Sequence, residues 1–345
     1  MRPVHTARLA AVLALPTVAL PAAAQSGGFA GGDLALFTPA LNGISSSSGG
    51  LALVGVLSGT VTEPYAFWTT PSASDACAYD PFRDRLVFAA AFQNGDPVEL
   101  WAGDAAGVAQ KLLAASGAVR VLAPAGDGRV FFNWNGGPFA AISWLDAADQ
   151  LHVLMDASGT APWTHGNGNV LIHLEYDEHA NALLLASGSF ALACSGPAAS
   201  ALTVRRLDLS ADGTRVVGES CASFDVDPMG GEVPVGLARI DPEAFLLTVD
   251  TNSNQAQPRL LRVTVDPLGV EVYSSTDYFG SAATNAGTYS HTLGRAVLLD
   301  TGNDVLRTYA PGQGGAGSVL PTSSPLSPAG SSGEAATLVE IGPRG

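Results

Sequence analysis

Three side chains able to carry acid–base or metal chemistry fall on segments with the pattern of inner β-strands. His173 and Glu175 alternate along "HLEYD", and His291 follows "GTYS" in another segment of the same kind. Alternate residues of a strand share a face, so His173 and Glu175 can point the same way, and His291 can join them from another strand. Such a set suits general acid–base catalysis or metal binding. The alternative, which we favour, is that each histidine is a satisfied structural residue.

A second group of candidates lies in segments longer than a turn requires. Long loops are costly to order, so their length is a hint of function. Three such segments are "DASGTAPWTHGNGN", "CASFDVDPMGGEVP" and "TDYFGSAATNAG". The alternative is that they are ordinary surface loops. The predicted ligand-binding residues are Trp163, His165, Asn167, Asn169, Asp225, Asp227 and Tyr278.

Metal and cofactor signatures are weak or missing. Asp225 and Asp227 offer oxygen ligands for Ca²⁺, but the glycine and distal glutamate of a twelve-residue calcium loop do not follow. His165 and His173 lie on different elements, and no cysteine pair has zinc-finger spacing. No nucleophile elbow, P-loop or dinucleotide fingerprint occurs. We therefore expect no metal and no cofactor. Ca²⁺ is the one ion for which the sequence offers a weak pattern of ligands.

The three cysteines predict one disulfide. Cys194 and Cys221 fall in two predicted loops of one repeat unit, on the same side of it, with 26 residues between them. In an oxidising compartment they are expected to pair. Cys77 falls on a predicted first strand and is expected to be a buried free thiol.

The first residues have the pattern of a secretory signal peptide. Arg2 and Arg8 are followed by an apolar run up to Leu20, and small residues end at Ala24. Pro16 breaks the run, which is shorter than the roughly 20 residues needed to span a bilayer. We expect cleavage after Ala24, no membrane span, and a secreted or periplasmic protein.

The charge balance restricts the partners. The chain has 16 basic and 31 acidic residues, and cleavage would remove two arginines and no acid, leaving 14 against 31, or −17. Binding to phosphate backbones needs a basic surface, so nucleic acid is excluded as a partner. The partner class left open is a protein, a glycan or a small molecule, and we expect a monomer.

A strand–turn–strand pattern recurs five times. It occurs as "AYDPFRDRLVFAA" and again as "IHLEYDEHANALLLAS", and a second hairpin with an Asp- or Gly-rich turn follows each copy. The second strands, at Leu86, Val130, Leu183, Phe245 and Ala296, are 44, 53, 62 and 51 residues apart. Each unit predicts a four-stranded antiparallel meander, and these steps suit propeller blades. The predicted blades cover 76–113, 119–155, 170–220, 235–275 and 285–320.

The remaining apolar segments predict a composite sixth blade, made of 33–57 and 336–341. Pairing the first and last strands removes the open sheet edges that an unclosed stack would expose. The expected fold is thus all-β, a single domain over 25–345, with six blades and a ring closed by the terminal strands. Seven blades and a pair of β-sandwiches are the alternatives.

In this repeat spacing and turn chemistry, the chain resembles the secreted bacterial β-propeller proteins over about 33–341. It has no kelch glycine doublets in register, no regular WD dipeptides and no tryptophan docking motif. The resemblance implies a fold and carries no catalytic residues over. In a propeller the first strands line the channel, and the tight turns, with Asp80, Asp177 and Asp241, lie on the face opposite the long loops.

Three functions remain from the sequence. The first is a secreted binding or scaffold module that uses its loop-rich face. The second is a calcium-dependent hydrolase or lyase with a site in the channel, which requires carboxylates or histidines from at least three first strands. The third is a purely structural module. Of these three functions we favour the binding module, then the structural module, and last the enzyme.

Overall fold

The described residues of the computed structural model form 24 strands in six antiparallel sheets of four strands each. No helix occurs in this part of the chain, and therefore none that is long and apolar enough to cross a bilayer. The described residues are 28–38, 48–68, 77–92, 97, 99–114, 119–134, 141–164, 173–187, 194, 201–225, 232–251, 259–275, 284–300, 303, 305–324, 326 and 337–342. The predicted signal peptide, residues 1–24, lies outside them.

Each sheet is one blade, and in blades 2 to 6 consecutive strands form the sheet. The bounds of blades 2 and 3 are β4 Cys77–Asp80, β5 Arg85–Ala90, β6 Glu99–Gly103, β7 Ala109–Leu113, β8 Val119–Pro124, β9 Val130–Trp134, β10 Ile142–Leu145 and β11 Leu151–Val153. Those of blades 4 and 5 are β12 His173–Asp177, β13 Ala182–Ser187, β14 Ala201–Leu209, β15 Val216–Asp225, β16 Glu232–Asp241, β17 Ala244–Thr251, β18 Arg259–Val265 and β19 Leu268–Ser275. Blade 6 has β20 Thr284–Ser290, β21 Arg295–Asp300, β22 Val305–Tyr309 and β23 Ser318–Leu320.

Blade 1 joins the two ends of the chain. Its strands, from the inside outwards, are β24 Thr337–Glu340, β1 Leu34–Thr38, β2 Ser48–Val54 and β3 Val61–Trp68. The β24–β1 pairing runs from Leu34 opposite Glu340 to Phe37 opposite Thr337. The predicted six blades and the predicted closure by terminal strands are confirmed. Sequence analysis missed β3, whose pattern contains Pro64; an outer strand tolerates proline because one of its edges needs no hydrogen-bond partner.

The first strand of each blade contacts the next one around the ring. β4, β8, β12, β16, β20 and β24 touch in that order, and β24 touches β4. Because this contact returns to its start, the six blades surround one axis, and the inner strands form the wall of a central channel.

The hydrophobic core consists of six clusters, one between each pair of adjacent blades. Each second strand is buried on both faces. In β5, Leu86 and Phe88 pack toward blade 1 while Val87 and Ala89 pack toward blade 3. This is why the second strands are continuous apolar runs rather than alternating ones, and why they were the most regular signal in the sequence.

The two faces of the ring carry different connections. The turn face holds the tight links from inner to second strands and from third to outer strands, such as 81–84 and 178–181. The loop face holds the links from second to third strands and from blade to blade, among them 188–200, 226–231, 252–258 and 276–283. Because the strands of a blade are antiparallel, these links all begin and end at strand ends on the same side of the ring.

Candidate functional site

The disulfide between Cys194 and Cys221 joins the link between the second and third strands of blade 4 to its outer strand, with the two Cα atoms 5.5 Å apart. This confirms the predicted pairing. Cys221 lies on the outer strand β15 and not in a loop, because β15 continues to Asp225. The amide of Cys194 also donates to Oγ of Ser223, at 3.0 Å. The link between the second and third strands of blade 4 is therefore attached to the outer edge of that blade.

Trp163 has a core position. It is 8% exposed and belongs to the cluster between blades 3 and 4. It follows a short hairpin that leaves the outer strand of blade 3 and bonds to blade 4, where the Met155 amide donates to the Thr214 carbonyl at 3.0 Å. The amide of Val216 donates to the Met155 carbonyl at 2.9 Å. Met155, at the base of this hairpin, thus connects blade 3 to blade 4.

The other predicted ligand-binding residues are not described in the same detail. Asp225 is the last residue of β15, paired with Ala201, and its side chain is outside the described part of the structure. His165, Asn167, Asn169, Asp227 and Tyr278 lie outside the described residues. Their role in binding stays a prediction.

His173 begins the inner strand β12 at the loop end of the channel. Its Nε2 lies 3.1 Å from the carbonyl oxygen of Pro234 on the neighbouring inner strand, so the ring donates to that oxygen. Burial lowers the pKa of His173 to about 4, and the bond to the carbonyl only partly opposes this. Glu175, two residues on, is 7% exposed. His173 is therefore a neutral link between blades 4 and 5.

His291 lies at the other end of the channel. It follows the last residue of β20, on the turn face, and its Nδ1 is 2.6 Å from Oε2 of Glu340. His173 begins its strand and His291 follows the end of its own, so the structure does not bring the three proposed acid–base residues together. Within the described ranges, no group of three or more His, Cys, Asp or Glu side chains could hold a metal ion.

Cys77 is a buried free thiol on the inner strand β4. Burial raises the pKa of its thiol well above the ordinary range. A nucleophilic cysteine needs an accessible thiolate, and this environment disfavours one.

The turn face is occupied by contacts between neighbouring blades. Asp80, Asp177 and Asp241 accept backbone amides two residues on, at 3.1, 3.0 and 2.8 Å, and so form their turns as predicted. Asp80 also accepts from Arg83 and Arg85 of its own turn. Asp80 therefore both stabilises its turn and binds two arginine side chains.

The arginines reach the next blade. Arg85 makes a two-point contact with the Asp149 carboxylate of blade 3, at 2.6 and 3.1 Å, and Arg83 donates to the Asp146 carbonyl at 2.8 Å. Sequence analysis did not predict these links. The local sequence "DPFRDR" contains Asp80, which both arginines contact within blade 2. The partner of Arg85 in blade 3, Asp149, lies 64 residues further along the chain.

Arg239 and Asp177 form a buried ion pair between blades 5 and 4, with the side chains 3% and 0% exposed. The guanidinium also lies over the Phe245 ring, 5.1 Å from its centre. Planar, weakly hydrated arginine is suited to such a buried position. Nothing in the local sequence around Arg239 indicates this partner.

Six four-stranded blades around one channel define the class of this protein as a six-bladed β-propeller. No family model and no curated protein matches the chain. Among solved structures, it is similar to an auxiliary nutrient binding protein from Bacteroides thetaiotaomicron, at 10% identity and a TM-score of 0.52, covering 79% of this chain and 67% of that one.

Two other solved structures have lower structural similarity. TolB from Acinetobacter baumannii is 12% identical with a TM-score of 0.48, and a gluconolactonase from Xanthomonas campestris is 14% identical with a TM-score of 0.48. The matches cover 82% and 84% of this chain, and 62% and 86% of those proteins. The chain thus spans less than two thirds of TolB. At these identities the likeness concerns the fold alone.

Proposed function

We propose that this protein is an exported binding module that uses its loop face. The observation that carries the proposal is the difference between the two faces. Tight turns and arginine contacts between blades fill the turn face, whereas the links beyond turn length leave the strands at the loop face. Scaffolds that hold variable loops on one side of a rigid core commonly bind through those loops.

The composition of the loop-face links favours an uncharged polar ligand. The links 165–172, 188–200, 226–231, 252–258 and 276–283 are rich in Asn, Gln, Ser, Thr and Gly. Apart from His165, their only ionisable side chains besides the disulfide cysteine are Asp227, Asp277 and Tyr278. Tyrosine with small polar residues gives binding loops contact area and adaptable hydrogen bonds. With a net charge of −15 the chain repels anionic ligands, so we name neutral glycans as the ligand class.

The test is a binding assay on immobilised neutral and acidic polysaccharides. The full mature chain is compared with a variant in which 252–258 and 276–283 are replaced by Gly–Ser segments of equal length. We expect binding to neutral polysaccharides, at least tenfold weaker in the variant. The matched control is Leu57→Ser, a change on an exposed turn-face residue, which should bind normally. Absence of binding to every neutral polysaccharide, or equal loss in the control, contradicts the proposal.

Export is part of the same proposal. The charged, apolar and small-residue regions before Gln25 have the order of a secretory signal, and the Cys194–Cys221 disulfide suits an oxidising compartment. Expression in a Gram-negative host should give a periplasmic or secreted protein whose N-terminal sequence begins at Gln25. A cytoplasmic protein that retains Met1 contradicts export and leaves the glycan assay valid.

A further inference from the structure

Glu340, the last residue of the inner strand β24, accepts hydrogen bonds from a single turn of blade 6. Its Oε1 accepts from Oγ of Ser290 at 2.9 Å and from the amide of Thr292 at 3.2 Å. Its Oε2 accepts from the amide of His291 at 3.0 Å and from the ring Nδ1 at 2.6 Å. One carboxylate thus holds four donors, and none belongs to its own blade.

These bonds hold the one inner strand that no turn joins to the second strand of its blade. In blades 2 to 6, the inner strand continues through a turn into the second strand, but β24 and β1 come from opposite ends of the chain. Apart from their ladder, this junction has bonds from the Gly32 amide to the Ile341 carbonyl and from the Ile341 amide to the Asp33 carbonyl. β24 has four residues. A short strand held by few bonds is among the first parts of a protein to open.

We propose that Glu340 and the turn Ser290–Thr292 form an acid-labile clasp, at which the ring opens by release of β24. A protonated carboxyl group has one oxygen that donates rather than accepts, so it cannot hold four donors. Release would leave the inner edge of β1 unpaired and would free one end of the link between β23 and β24.

The direction of the pH effect follows from the environment of Glu340. Burial raises the pKa of its carboxyl group, but the bonds from His291, Thr292 and Ser290 outweigh burial and lower it below the ordinary value. A lowered folded-state pKa means that the clasp contributes fully above the unfolded-state pKa and is lost as pH falls through the folded value. Opening is therefore an acid transition.

Other titratable groups lie on the elements packed against β24. Asp33 adjoins β1, and burial raises its pKa. On β20, Tyr289 packs edge-on against the His291 ring, with centres 5.1 Å apart, and the charges of Asp241 and Glu340 add to burial in raising its pKa. Among the described residues, neither Asp33 nor Tyr289 makes a hydrogen bond to the Glu340 carboxylate. The other strands that contact β24 carry Cys77, Tyr79 and Asp80 on β4, and Arg239 and Asp241 on β16.

The test is hydrogen–deuterium exchange of the full mature chain, measured by mass spectrometry between pH 7 and pH 3 and corrected for intrinsic exchange rates. In the wild type, protection of β1 and β24 should fall at least tenfold relative to β13 as the pH is lowered. Glu340→Gln should show that loss already at pH 7. Ser290→Ala, which removes one of the four donors, should show a partial loss and serves if Glu340→Gln does not fold.

The matched control is Glu178→Gln. Oε1 of Glu178 in blade 4 also accepts a hydrogen bond from a neighbouring blade, from the Gly126 amide of blade 3 at 2.6 Å, away from the junction. In this variant, protection of β1 and β24 from hydrogen exchange should equal that of the wild type. The clasp is overturned if β24 and β13 lose protection together at every pH, or if neither Glu340→Gln nor Ser290→Ala changes protection of β24.

Discussion

Single side chains join neighbouring blades in this protein, and two of these links lie at the channel wall with side chains that are buried or half-buried. Arg239 and Asp177 make the buried ion pair, and His173 donates to the Pro234 carbonyl. Burial makes each link sensitive to the loss of its partner, because an unpaired buried charge or polar group has no water to replace it. Their substitutions give the clearest stability predictions.

Arg239→Met should destabilise the fold by about 3–5 kcal/mol, because it leaves the Asp177 carboxylate buried without its partner. The measurement is urea unfolding at pH 7. The double variant Arg239→Met/Asp177→Asn removes the unpaired charge and should recover at least half of the loss. A single variant that costs less than about 1 kcal/mol, the value of an exposed pair, would show that the pair is hydrated.

His173 predicts a pH dependence of stability. Its folded-state pKa of about 4 lies below the ordinary 6.5, so the unfolded chain takes up a proton first as the pH falls. The contribution of neutral His173 to the free energy of unfolding is fully present above pH 6.5 and is lost as the pH falls toward 4. Between pH 7 and pH 4.5 this loss amounts to about 2 kcal/mol. His173→Gln keeps a donor for the Pro234 carbonyl but does not titrate. Urea unfolding should show a smaller loss for this variant, and equal losses would contradict the assignment.

At the scale of elements, the inner strands of blades 5 and 6 pass very close to each other. A Cβ atom on Gly236 of β16 would lie 2.0 Å from the carbonyl oxygen of Gly287 on β20. The obstacle is backbone, so no side-chain rotation can relieve it. Glycine is required here because two strands pass too close for any side chain.

Gly236→Ala should therefore cost about 1–3 kcal/mol, the range for overpacking at a rigid contact. The measurement is the midpoint of thermal unfolding together with the urea-derived free energy of unfolding. The control is Gly31→Ala, where nothing lies within 4 Å of the added Cβ and where we expect less than about 0.5 kcal/mol. Equal effects of the two substitutions would mean that β16 and β20 can separate without cost.

For the whole molecule, closure of the ring depends on the last described strand. β24 covers one edge of β1 and places Leu338 in the cluster between blades 6 and 1. Without it, blade 1 has three strands and an exposed inner edge. Open edges of this kind pair with other chains.

A chain that ends at residue 335 should aggregate, or elute as oligomers in size-exclusion chromatography with light scattering, whereas we expect the chain that extends to residue 345 to be monomeric. A synthetic peptide spanning 334–345, added during refolding, should restore the monomer, because the junction it fills is non-covalent. The same peptide with Glu340→Gln should restore it less well. A truncated chain that remains monomeric and as stable as the complete one would contradict closure by β24.

Some features could be predicted from local sequence alone. The second strands are apolar on both faces, so their positions repeat regularly, and the aspartates of the tight turns bond amides two residues on. Both signals are contained within a few residues. The spacing of these units implied a ring of six, since closing a ring is the way to leave no exposed edge. The outer strand β3 was not predicted, because Pro64 interrupts its strand pattern.

Contacts between blades were decided only by the tertiary structure. Arg85 finds Asp149, Arg239 finds Asp177, and Glu340 finds the turn after β20, at separations of 64, 62 and about 50 residues. The spatial partner depends on the step between blades, which loop length changes, so no local pattern encodes it. For the same reason, His173 and His291 looked alike in sequence, yet they lie at opposite ends of the channel because one begins its strand and the other follows the end of its own.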